Sequence, residues 1–72
     1  MNWFKIYNPK AKEWRQQHEA QGLYGPLVAF TQDESCAGFW SESEIKYMTI
    51  PAGSELIVFS PTRHDIRYRE WF

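Results

Sequence analysis

The chain has 72 residues, a net charge of −1, thirteen Phe, Tyr or Trp residues and one cysteine. That length holds one hydrophobic core and no second domain, so residues 1–72 read as a single unit. The near-neutral charge gives no long-range attraction for a polyanion or an anionic membrane, and a lone Cys36 excludes an internal disulfide.

The first predicted element is a strand, with Trp3, Lys5 and Tyr7 on one side and Phe4 and Ile6 on the other. Asn8-Pro9 pairs a good N-cap with the residue favoured at the first helical position. From Pro9 to Gln21 there is no β-branched residue, and Ala, Lys, Glu, Arg and Gln dominate, so a helix is expected over 9–21 with Gly22 as its stop. Its apolar stripe is thin (Ala11, Trp14 and His18), so it must dock through Trp14.

After Gly25-Pro26, Leu27 to Thr31 reads as a short apolar strand. Gln32 to Gly38 reads as a polar loop carrying Asp33, Glu34, Ser35 and Cys36. Alternation from Glu44 to Ile50 predicts another strand, the turn Pro51-Ala52-Gly53-Ser54 follows, and Glu55 to Ser60 completes a hairpin. Ile66 to Phe72 is expected to form the last strand, with Arg67, Arg69 and Trp71 sharing a face. The expected fold is therefore α+β, one helix packed on a twisted, mostly antiparallel sheet of four to five strands in the order β-α-β-β-β-β, with a partly open barrel as the alternative.

Few arrangements that carry chemistry are present. No Cys-x-x-Cys, His-x-x-x-His or Asp-x-Asp-x-Asp spacing joins Cys36, His18, His64 and the carboxylates into a metal-ligand set, and no cofactor is expected. Cys36 stands beside Asp33 and Glu34, which disfavour a thiolate nucleophile. Glu42 and Glu44 would share a strand face and could split their pKa values as an acid–base pair. Their alternation with Ser41 and Ser43 is the ordinary pattern of a solvent-facing segment. So small a chain also has little volume for a substrate pocket, and catalysis is not expected.

Two binding readings remain. From Trp3 to Phe72 there are two dozen large apolar side chains, more than one face of a small sheet can shelter. Interface centres are rich in aromatic residues and Arg, and Trp40, Tyr68, Trp71, Phe72, Arg67 and Arg69 match that composition. Residues 33–55 balance to −4, and Glu42 and Glu44 within them could steer a basic partner. The favoured expectation is a non-catalytic protein-binding module, an inhibitor or adaptor acting on a larger protein assembly, with self-association through the C-terminal strand as a further mode. By size and composition alone it has the character of the small blocking proteins that phages and other mobile elements often encode.

The alternative is a single-stranded nucleic-acid binder. It would use Trp3, Lys5 and Tyr7 beside Arg67, Arg69 and Trp71 as an interleaved face of rings and cations. No run reaches the roughly 20 apolar residues of a membrane span, and no signal-peptide pattern opens the chain, so a reducing, cytoplasmic setting is the expectation.

Overall fold

Strand β1 (Trp3–Asn8) is the axis of the molecule. In the computed structural model, which describes residues 2–69, β1 is paired on both edges. Along one edge lies β7 (Glu55–Phe59), in register from Trp3↔Phe59 to Tyr7↔Glu55. The other edge is shared end to end by β2 (Glu13–Arg15), through Tyr7↔Trp14, and β6 (Trp40–Ser41), through Phe4↔Trp40. Beyond β2 lies β5 (Phe30–Thr31). Every pairing is antiparallel and the sheet is open. A separate two-stranded hairpin, β3 (Ala20–Gly22) with β4 (Gly25–Leu27), forms an arm. Two short helices, α1 (Glu42–Ile45) and α2 (Arg63–Tyr68), complete the α+β fold.

The helix expected over 9–21 does not form. Asn8 uses its side chain as a cap would, with Oδ1 accepting from the N–H groups of Lys10 and Ala11 at 3.1 and 3.3 Å. The chain then reverses instead of winding on, and Lys12 takes a left-handed conformation (φ 56°) to close the β1–β2 hairpin. Pairing lays Trp14 on Tyr7, ring centroids 4.5 Å apart, an anchor that a one-tryptophan helical stripe could not better. Helix propensity is a weak preference, and long-range pairing overrides it here.

Two further expectations are corrected. The segment expected as a strand over 44–50 contains the end of α1 followed by turns, so β7 pairs with β1 and the predicted 44–60 hairpin is absent. The last predicted strand is helical from Arg63 to Tyr68, and residues 70–72 lie outside the described region. Both helices start with a reciprocal capping box. Ser41 caps Glu44, Thr62 caps Asp65, and each carboxylate bonds back to its cap's N–H. The Ser-x-x-Glu and Thr-x-x-Asp spacings were readable in the sequence and outrank the alternation that suggested strands.

The core is compact and aromatic. Phe39, only 1% exposed, meets Trp3 edge-on at 5.6 Å and Phe59 at 5.2 Å between ring centroids. Ile6, Ala37 and Trp40 are also buried. Gly38 carries the chain close past Gln17, where an added Cβ would stand 2.5 Å from the Gln17 nitrogen. Its N–H donates to the Arg15 carbonyl at 3.0 Å, tying the core segment to β2.

Candidate protein-binding surface

The arm is short and apolar. Gly22 pairs with Gly25 across a two-residue loop, and Gly25 sits at φ 125°, a backbone position that a side chain would strain. Leu23 and Tyr24 form the tip and are 90% and 99% exposed. Leu27, Val28 and Phe30 follow along the arm's return, and all three are exposed. Such a loop ordinarily carries Gly, Asn, Asp or Ser, so a Leu-Tyr tip leaves two large apolar side chains without shelter.

The return strand leads into a cleft of about 470 Å³. Ile6 and Arg15 line it from the sheet, Val28 and Phe30 from the base of the arm, and Tyr47, Met48, Thr49, Pro51 and Ser54 from the segment after α1. Tyr47, Phe30 and Val28 are exposed along its rim, so the cleft is open, and its volume corrects the expectation that so small a chain has little room for a pocket.

Arg15 is the cleft's cation. Its guanidinium carbon lies 5.5 Å from the centroid of the Trp40 ring, and its backbone is fixed by pairing to Phe30 and by the bond from Gly38. Among the described residues that guanidinium has no ion-pair partner and no hydrogen-bond acceptor. A half-buried fork of donors in apolar surroundings favours a carboxylate.

The expected site residues are scattered rather than gathered. Trp40 is 6% exposed and belongs to the core, stacked beneath Arg15, so it offers no open contact surface. Arg69 and Glu44 are joined to each other. The Arg69 Nη1 and Nη2 donate to the Glu44 Oε1 and Oε2 at 3.0 and 2.8 Å, holding α2 to α1. Arg69 also lies 5.5 Å from the ring centroids of Trp3 and Phe39.

Glu42 is exposed and accepts from the Asn2 side chain at 3.0 Å. Arg67 and Tyr68 are exposed on α2, where the Tyr68 ring is flanked by His64 at 4.7 Å and by Arg67 at 5.6 Å. Trp71 and Phe72 lie outside the described residues. The interleaved ring-and-cation face expected of a nucleic-acid binder is not assembled by the described residues. Lys5 is buried with its Nζ donating to the Glu34 carbonyl at 3.1 Å, and residues 66–68 are helical.

The arm and Arg15 were not singled out from the sequence. The available signal was Gly22-Leu23-Tyr24-Gly25, two residues between glycines, which is the spacing of a tight hairpin. Comparison with known protein families, with curated proteins and with solved structures gives no match for this chain. The surface must therefore be read from its own chemistry.

Among the described residues no group of three or more His, Cys, Asp or Glu side chains could hold a metal ion, and no helix is long and apolar enough to cross a membrane. Cys36 is exposed, and its thiol lies 3.6 Å from the Asp33 carboxylate. The carboxylates with shifted acidity serve turns and caps. Asp33 is held below its ordinary range by the Ser35 hydroxyl, Asp65 by the Thr62 N–H, and Glu44 by the Arg69 guanidinium.

Proposed function

We propose that this chain is a non-catalytic protein-binding module whose contact surface is the arm tip and the Arg15 cleft beside it. The observation that carries the reading is the exposure of Leu23 and Tyr24, 90% and 99%, on a hairpin that runs directly into an apolar cleft. A partner that suits the surface presents an apolar side chain to the cleft and a carboxylate to Arg15, while the arm lies against its flank. Binding to a larger assembly would let so small a body act by obstruction or by bridging, as an inhibitor or an adaptor.

The test is quantitative affinity capture from native lysate, with the wild-type chain, the Leu23→Ser/Tyr24→Ser double variant and Arg15→Gln run in parallel. A partner retained by the wild type, lost from the double variant and weakened about tenfold by Arg15→Gln supports the reading, since a charge-assisted hydrogen bond is worth about that much. Retention that is indifferent to both changes would exclude this surface.

A further inference from the structure

β7 lies at the edge of the sheet, and its neighbour there is β1. Among the described residues no backbone group of β7 bonds to any segment other than β1. The direction of the unused groups follows from β1. The Glu42 N–H donates to the Asn2 carbonyl at 3.2 Å on the β6 side, so even-numbered β1 residues direct their backbone groups away from β7. Trp3, Lys5 and Tyr7 therefore bond to Phe59, Ile57 and Glu55. Leu56 and Val58 are left with N–H and C=O turned outward along an open edge.

Natural edge strands are usually blunted by Lys, Pro, a bulge or a covering segment. The sequence Glu55-Leu56-Ile57-Val58-Phe59 has no Lys or Pro, its pairing with β1 is unbroken by a bulge, and its one charge stands at the first position. The Val58 and Leu56 side chains are both exposed on one sheet face, Val58 at 69%.

We infer that this edge is a homodimer interface, in which β7 pairs antiparallel with β7 of a second copy about a twofold axis at Ile57. The strand is self-complementary in that register. Leu56 of one copy stands opposite Val58 of the partner subunit, and the two exchange N–H···O=C bonds, so every outward group of both residues is satisfied. Their exposed apolar side chains meet as cross-strand pairs. Each Glu55 faces Phe59 of the partner subunit, which keeps the two carboxylates at opposite ends of the pairing. The contact is isologous and closed, so it gives a dimer and not a fibre. No residue of β7 belongs to the arm or lines the Arg15 cleft, so the inference does not depend on the proposed function.

Sedimentation equilibrium from about 10 μM to about 1 mM tests it, the range in which an interface smaller than standard dissociates. The expected result is a weight-average mass that rises from 8.6 kDa towards that of two chains. Val58→Lys, at an exposed position that leaves the core intact, should hold the chain monomeric throughout. Leu56→Glu combined with Val58→Lys should restore association in a salt-sensitive form, because the register sets Glu against Lys in both pairs. In hydrogen exchange, the Leu56 and Val58 amides should gain protection with concentration. A chain that stays monomeric at about 1 mM, or a dimer that survives Val58→Lys but is abolished by Leu23→Ser/Tyr24→Ser, overturns the inference.

Discussion

The core segment Ala37–Ser41 and the arm over residues 20–30 are built from similar residues and meet opposite fates. In the first, Phe39 and Trp40 are sealed, with Trp40 joined to β1 and Phe39 set among Trp3, Phe59 and Arg69. In the second, Leu23, Tyr24 and Leu27 remain exposed on a hairpin that pairs with itself, and Val28 and Phe30 are exposed where the chain rejoins the main sheet. Apolarity alone does not place a residue inside. A strand gains shelter when distant segments pair beside it and cover its face. A local hairpin of three-residue strands satisfies its backbone while leaving its side chains unsheltered.

The largest expected effect falls on the core segment. Phe39→Ala should lower stability by about 3–5 kcal/mol, a large part of the total available to a domain of this size. Urea denaturation measures it, as a fall in midpoint at an unchanged slope. A loss under about 1 kcal/mol would mean that the ring is not the keystone that its 1% exposure implies, and the contrast with the arm would fail.

Next comes the join between α1 and α2. Glu44→Ala removes both the capping box and the Arg69 pair and should cost about 1–2 kcal/mol. Glu44→Gln keeps the cap, since Gln serves at that position, and loses only the ion pair. With the Glu44 side chain 42% exposed, water screens the pair and the expected cost is about 0.5–1 kcal/mol.

The same pair sets a pH dependence. The Arg69 guanidinium depresses the Glu44 pKa in the folded chain, whereas the unfolded chain binds its proton near the ordinary 4.5. Between the two values the unfolded state holds more protons, so stability is full above about pH 4.5 and is lost as the pH falls through the folded value. Asp33 and Asp65 shift in the same direction through their turn and cap hydrogen bonds, so all three add to one acid-side decline. In Glu44→Gln that decline should be shallower. An identical acid profile in both proteins would show that the Arg69 pair does not persist in solution.

Part of this division was legible beforehand. The α+β class, the antiparallel sheet, β1 and β7 all follow from β-branched and aromatic runs bounded by Asn, Pro and Gly. The failures have a common physical cause. Pro9 to Gln21 is locally helical by composition, yet Asn8 can cap a turn as readily as a helix, and only pairing with Tyr7 and Asn8 decides between them. Residues 44–50 and 66–72 alternate as strands do, but the capping boxes at Ser41 and Thr62 are stronger local signals than a short alternation. Two of the expected contact residues turn out to have internal roles for a related reason. Trp40 and Arg69 have the composition of an interface, and the fold uses both internally. Leu23 and Tyr24 stay exposed because they fall at a hairpin tip that no other strand covers, whereas the Arg15 backbone is paired and only its side chain faces the cleft.

The smallest expected effect is the one that most sharpens the comparison. Leu23→Ser/Tyr24→Ser removes two large apolar side chains, a change that would cost several kcal/mol in a core. On the arm tip both are nearly fully exposed, so the folded chain gives up almost no burial that the unfolded chain lacked. The expected change in stability is within about 0.5 kcal/mol, with an unaltered amide spectrum outside residues 20–27. Solubility should improve, because the hairpin would no longer present grease to water. A destabilisation above about 2 kcal/mol would show that Leu23 and Tyr24 rest against the body of the molecule in solution. The arm would then be core in another guise, and its contrast with the Ala37–Ser41 segment would disappear.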